Sequence, residues 1–151
     1  MVEADFEVNA DANEFLSLYS ELNAQYETYA KSVGLSYSSL SVLRIILEHD
    51  GEYTQKTICE RAFLPKQTVN AIVTSLLQHE AIKMSESDSD RRQKVIHFTS
   101  KGRDFALGAI QRIKKAESKA MESLDKKERS ALLAGLKIYK KRLHDYVSES
   151  F

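Results

Sequence analysis

Residues 63–80, FLPKQTVNAIVTSLLQHE, place the tightest constraint on the fold. Pro65, the only proline in the chain, breaks whatever precedes it, and Val69, Ile72, Val73, Leu76 and Leu77 then recur at three-and-four spacing. That pattern predicts a helix over Lys66–Glu80 with one continuous apolar face. The opposite face is Gln67, Thr68, Asn70, Ala71, Thr74, Ser75 and Gln78, and nothing between Gln67 and Gln78 is charged. In a chain with 29% charged residues, a helix face meant only for water is expected to carry several charges.

The segments around this helix define its setting. Phe15, Leu18, Tyr19, Leu22, Tyr26 and Tyr29 predict an amphipathic helix from Asp11 to about Lys31, ended by Val33-Gly34. Ser36 is placed to cap a second helix that buries Leu40, Leu43, Ile46 and Leu47, with His49-Asp50-Gly51 as its stop. A short third helix spans Gln55–Ala62. After the uncharged helix, AIKMSE and QKVIHFT alternate apolar with polar residues and read as two antiparallel strands joined by SDSDRR. Thr99 or Ser100 then caps a long helix to about Ser123, with Phe105, Ala109, Ile110, Ile113, Ala116 and Ala120 along one side. Asp125-Lys-Lys-Glu128 fits a capping box for a last helix bearing Leu132, Leu133, Leu136, Tyr139, Leu143, Tyr146 and Val147. The fold class expected is mainly α with a small β-hairpin.

Three helices followed by a hairpin make a winged helix–turn–helix, in which the second helix of the pair enters the DNA major groove. The uncharged face then has a chemical reason. Gln and Asn pair doubly with adenine edges and Thr or Ala meets a thymine methyl, while carboxylates there would be repelled by flanking phosphates. Gln67, Thr68, Asn70, Ala71 and Thr74 are therefore the candidate base readers, with Lys66, Gln55 and Lys94 at phosphates. A hairpin tip beside such a helix reaches the minor groove, whose negative potential attracts Arg91 and Arg92. Asp90 is expected to hold an arginine in place by a charge-assisted bond. A solvated loop with a local ion pair is the structural alternative for the same residues.

Residues 35–102 resemble the DNA-binding lobe of the MarR (multiple antibiotic resistance) family of bacterial transcription regulators. The resemblance rests on LSYSSLSVLRIILEHDGEYTQKTICERAFLPKQTVNAIVTSLLQHEAI and on the wing signature DRRQKVIHFTSKG, where Asp90, Arg92, Thr99 and Gly102 hold the signature positions and Phe98 stands in place of the usual leucine. It implies a homodimer whose first and last helices interlock and which binds a roughly palindromic operator. On that reading residues 35–103 are the DNA-binding lobe, and residues 1–34 with 104–151 the dimerising region. Leu132, Leu136, Tyr139, Leu143 and Tyr146 are the candidate interface, packing within one chain being their alternative use. Small-molecule effectors of this family commonly sit between the dimer helices and the winged lobe. Tyr19, Tyr26, Tyr37 and Arg44 are the candidates for such a cleft, and equally for core or interface positions.

Charge and composition bound the remaining classes. Residues 1–53 carry ten acidic and two basic side chains, net −8, and residues 54–151 carry twelve acidic and twenty basic, net +8. That polarity suggests that the later part faces an anionic partner, although helix surfaces need charges in any case. No apolar run approaches the roughly eighteen residues of a membrane span, and the acidic N-terminus is unlike a signal peptide, so the cytoplasm is the expected compartment and no membrane partner is expected. Cys59 is the only cysteine, excluding an internal disulfide, and reads as a small, inert, partly buried thiol; family members that sense oxidants have theirs near the N-terminus. No helix offers two histidines at i, i+4, and the segment Phe105–Ser123 lacks the histidines used by zinc-sensing relatives, so no metal or cofactor is expected. No phosphate-binding glycine loop or nucleophile elbow marks an enzyme. A winged-helix dimer acting only as a protein-interaction module remains the rival reading.

Overall fold

The computed structural model describes the chain apart from residues 1, 49–52, 88–92 and 150–151, with side chains described from residue 7 onward. Six helices and one hairpin follow in order: α1 (Val2–Ser32), α2 (Tyr37–Glu48), α3 (Gln55–Ala62), α4 (Lys66–Gln78), β1 (Ile82–Glu86), β2 (Lys94–Phe98), α5 (Ser100–Glu122) and α6 (Lys126–Glu149). The element order is the one the periodicity predicts. Helix α1 starts well before Asp11, because residues 2–10 contain no glycine or proline to stop it. The expected stop of α2 at His49-Asp50-Gly51 lies outside the described residues.

The chain divides into two compact units, residues 1–111 and 112–151. In the first, Val42, Leu43, Ile46, Ile58, Val69, Val73, Leu76, Ile82 and Ile96 form the main core, closed by Tyr53 and Ala106. A smaller cluster joins Ala30, Leu40, Ala109 and Ile110, where the Tyr29 hydroxyl donates to the Ala109 carbonyl. Strands β1 and β2 pair antiparallel, with Ile82 opposite Phe98 and Glu86 opposite Lys94. Tyr53 extends the sheet by a single bridge, its carbonyl accepting the Ile96 N–H at 2.7 Å. In the second unit the capping box forms as read: Glu128 accepts the Asp125 N–H at 2.7 Å and Asp125 accepts the Glu128 N–H at 2.9 Å. Helix α6 buries none of its residues. Among the described residues, no helix is long and apolar enough to cross a membrane.

Three helices end in the same way, with one residue turning left-handed so that the chain folds back on its last carbonyls. Gly34 does this for α1 at φ 77°, a conformation that suits glycine. Phe63 does it for α3 at φ 53° and Glu80 for α4 at φ 55°. Behind Glu80, the N–H groups of Glu80 and Ala81 bond the carbonyls of Leu77 and Leu76 at 3.0 and 2.9 Å. Helix α4 therefore stops at Gln78, two residues before Glu80, and Leu77 is 36% exposed rather than part of the buried face.

The start of α5 is fastened to that turn. Thr99 accepts the Gly102 N–H at 3.0 Å, and its hydroxyl donates to the Glu80 carbonyl at 2.7 Å. Gly102 lies so close that a Cβ there would sit 1.8 Å from the Ala81 carbonyl oxygen. Along α5, Ala109, Ile110 and Ile113 are buried as expected and Ala106 joins them, whereas Phe105, Ala116 and Ala120 are exposed.

Two substitutions test this junction in opposite directions. Gly102→Ala should cost at least about 2 kcal/mol, since the obstacle is backbone rather than a movable side chain. Glu80→Gly should stabilise by about 1 kcal/mol by removing left-handed strain. Thermal unfolding of both variants reads the two signs.

Candidate nucleic-acid interface

The two sides of α4 divide sharply. Val69, Ile72, Val73 and Leu76 are buried, which leaves the helix one outward side. That side carries Gln67, Asn70, Ala71 and Thr74, all exposed, and the half-buried Thr68. Ser75 and Gln78 extend the same uncharged surface. Lys66 is exposed at the first position of the helix, and the first turn has no acidic residue. The free amides and the ammonium thus give this helix end a positive potential.

Helix α3 abuts α4 where its own first turn begins. The Thr54 hydroxyl accepts the Thr57 N–H at 3.2 Å and so starts α3, which places Gln55 next to Asn70. The two amides lie 3.5 Å apart, at the outer limit of a hydrogen bond, so the contact records adjacency more than energy. Arg61, at the other end of α3, stacks over the Tyr53 ring at 5.7 Å and fixes the helix against the sheet.

Between the first turn of α3 and the hairpin runs an open groove of about 580 Å³, lined by Thr54, Gln55, Lys56, Thr57, Glu60, Met84, Gln93 and Lys94. Lys56 and Gln93 are additions to the candidates named from sequence. Lys94 is not free: its ammonium lies 3.5 Å from Glu86 across the strand pair. The register puts the two opposite each other, and strand assignment without register does not reveal it. Asp90, Arg91 and Arg92 lie outside the described residues.

The remaining candidates separate into groups. Tyr26 and Tyr37 stack with ring centroids 5.1 Å apart, and Tyr37 with Arg44 lines a groove of about 220 Å³ that also includes Leu40, Ser41, Ile45, Arg61 and Ala62. Tyr19 is apart from them, exposed and stacked on Phe15 at 6.3 Å. Leu132, Leu136, Tyr139, Leu143 and Tyr146 are each between 39% and 63% exposed, as are Leu133, Ile138 and Val147, so α6 presents more uncovered apolar surface than the five positions alone. Cys59 is half-buried against the main core. Among the described residues, no three His, Cys, Asp or Glu side chains converge to hold a metal ion.

Comparison with known proteins gives this geometry a context. A sequence model of the MarR family matches residues 33–93. The chain is similar in structure to NMB1585, a MarR family regulator from Neisseria meningitidis, with 26% identity and a TM-score of 0.70 over 91% of this chain and 99% of that one. At 17% identity it shares the fold of MepR from Staphylococcus aureus in a MepR–DNA complex, with a TM-score of 0.74 over 87% of this chain and 96% of that one. At 17% identity it also shares the fold of BpsR from Bordetella bronchiseptica, whose DNA binding is regulated by 6-hydroxynicotinic acid, with a TM-score of 0.70 over 85% and 91%. No curated protein sequence matches the chain.

The exposed face of α4 should be dispensable for folding. Alanine at Gln67, Asn70 or Thr74 should change stability by less than about 0.5 kcal/mol, whereas Val69→Ala or Val73→Ala should cost about 2 kcal/mol. Denaturant titration of the five variants separates the two sides of the helix.

Proposed function

We propose that this chain, whose residues 33–93 match the MarR family model and whose fold is that of MarR family regulators, is a winged-helix transcription regulator of that family that binds double-stranded DNA as a homodimer at a roughly palindromic, sequence-selected operator. One observation carries the proposal: α4 keeps an exposed, charge-free surface of amides, hydroxyls and methyl groups above the buried Val69, Ile72, Val73 and Leu76. Water alone gives no reason to keep charge off that surface, and base edges in a major groove do. Members of this family are transcription regulators rather than enzymes.

In this reading Gln67, Thr68, Asn70, Ala71 and Thr74 meet bases. Lys66 and Gln55 meet phosphates on either side of the groove, and Arg91 and Arg92 at the hairpin tip enter the adjacent minor groove, steadied by Asp90. Lys94 joins them only when the phosphate field draws it from Glu86, an exposed pair worth at most about 1 kcal/mol. Residues 35–103 are the DNA-binding lobe, and residues 1–34 with 104–151 dimerise through Leu132, Leu136, Tyr139, Leu143 and Tyr146. Two lobes related by a two-fold axis read two half-sites related the same way. The site of action is the cytoplasm. BpsR supplies the precedent for control by a small molecule, and the groove at Tyr37 and Arg44, with Tyr26 stacked beside it, is the candidate effector cleft. Tyr19, apart from that groove, is left as a dimer-surface residue.

Selection of bound fragments from a random DNA pool, followed by a salt titration on the selected duplex, tests the proposal. Affinity should fall steeply with salt through counterion release, and Arg92→Ala should weaken binding on all sequences and lower the logarithmic salt slope by about 1. Asn70→Ala should instead relax the choice at one base pair, by about 1–3 kcal/mol. Glu86→Gln, by releasing Lys94, should tighten binding about threefold at low salt. A pool that yields no enriched sequence, with salt-insensitive capture of protein instead, would favour the protein-interaction module.

A further inference from the structure

We propose that α1 carries an acidic rail that selects the basic α6 of a second copy of this chain, so that the homodimer is held partly by charge and chooses its helix pairing by sign. The inference rests on the homodimer reading, in which the first and last helices interlock, and adds the charged rows that select the pairing.

Glu7, Glu14 and Glu21 fall seven residues apart, each directly before an apolar residue, Val8, Phe15 and Leu22. On a helix such a row advances about 10.5 Å per step and drifts only about 20°, so the three carboxylates line one edge of the stripe that Val8, Phe15 and Leu22 begin. All three are exposed, and no cation among the described residues pairs with them. The stripe beside them is uncovered as well: Val8 is 66% exposed, Leu18 58%, Tyr19 55% and Leu22 49%. This is the pattern of a helix seam with charges at its flank, where the flanking residues decide the partner.

Charge then chooses among the faces available on a second copy. Helix α1 holds seven acidic and one basic side chain, net −6, so the edge of one α1 laid along the same edge of another would set carboxylate against carboxylate. Helix α6 holds seven basic and three acidic, net +4, and buries none of its apolar residues. Lys126 and Lys140 stand fourteen residues apart on one edge of its Leu132–Leu136–Tyr139–Leu143 stripe, with Lys137 one turn before Lys140. The fourteen-residue spacing equals that of Glu7 and Glu21. All three lysines are exposed. Because each row has one sign throughout, the attraction holds for either direction of the helices, and it selects the partner face rather than the register. In a two-fold dimer every pair occurs twice.

Two full-length variants test the rail: Glu7→Lys/Glu14→Lys/Glu21→Lys and Lys126→Glu/Lys137→Glu/Lys140→Glu. Sedimentation equilibrium is run at about 50 mM and about 500 mM salt, with helicity followed by circular dichroism. At low salt the parent dimer should be tight and weaken with salt. Each variant alone should dissociate about 100-fold more readily, as six attractions become six repulsions, and should regain affinity as salt rises. An equimolar mixture should recover parental affinity, since each basic row then meets an acidic one; recovery also shows that neither variant is misfolded. Parental dimerisation indifferent to salt, or fully helical variants that dimerise as tightly as the parent, would overturn the rail and leave the homodimer standing. A parent that sediments as a monomer at micromolar concentration would instead overturn the homodimer reading itself.

Discussion

At one point in the fold two backbones touch with no side chain between them: the first turn of α5 against the turn that ends α4. Gly102 allows the approach, Thr99 ties it with bonds to Glu80 and Gly102, and the Thr99 N–H adds a bond to the Ala81 carbonyl at 3.1 Å. Three elements are fixed there together. Helix α4 is stopped, β1 leaves at Ile82, and β2 returns through Phe98 opposite Ile82. The position of the hairpin relative to α4 is thereby set by close backbone approach and hydrogen bonds, in addition to the packing of Ile82 and Ile96 against Val73 and Leu76 in the main core. The proposed roles of α4 as reader helix and of the hairpin as wing, engaging adjoining grooves of one duplex, require that kind of rigidity. The left-handed Glu80 is a small strain accepted at the same place, on the order of 1–2 kcal/mol.

The outward surface of α4 depends in turn on how firmly its inward side is held. Val69 is fully buried and Val73 is 1% exposed, so the helix has little freedom to roll. With the roll fixed, the identity of each outward side chain becomes a positional choice. Thr68, Asn70 and Thr74, with one or two torsions each, lose little entropy on meeting a base edge, whereas long side chains, Gln67 among them, lose more. Lysines appear instead at the margins: Lys66 at the helix start, and Lys56 and Lys94 across the groove between α3 and the hairpin. That division matches the physical distinction between contacts that specify and contacts that position.

Much of this was legible from periodicity and caps. The helices, both strands, the Thr99 cap and the Asp125–Glu128 box all follow from local rules, and local interactions form them. What escaped the sequence depends on contacts between distant segments or on broken local rules. Nothing local marks Phe63 or Glu80 as left-handed, because the residues are not glycine or asparagine; only the downstream chain direction demands it. Leu77 fits the apolar period, yet the helix presents it outward. The Glu86–Lys94 pair needs the strand register, and Gly102 needs the position of Ala81, twenty-one residues earlier. The grouping of Tyr26 with Tyr37, away from Tyr19, likewise follows from how α1 meets α2, which no pattern within α1 encodes.

Charge ties the two proposed interfaces together. The acidic excess sits in residues 1–53 and the basic excess in residues 54–151, so the segment richest in carboxylates is spent on the contact between copies and the basic one on both contacts. Salt therefore acts twice. Under the two proposals it screens the α1–α6 attraction that helps hold the dimer, and it removes the counterion-release gain when a dimer meets DNA. At protein concentrations near the dimer dissociation constant, the apparent salt slope of DNA binding contains both terms and overstates the number of phosphates contacted. Only when the protein is concentrated enough to remain dimeric does the slope count phosphates alone. The zero net charge of the chain follows from the same arrangement: each excess is matched within the sequence, and a chain with its acidic rail covered by a partner's lysines would leave the remaining basic surface to meet a polyanion.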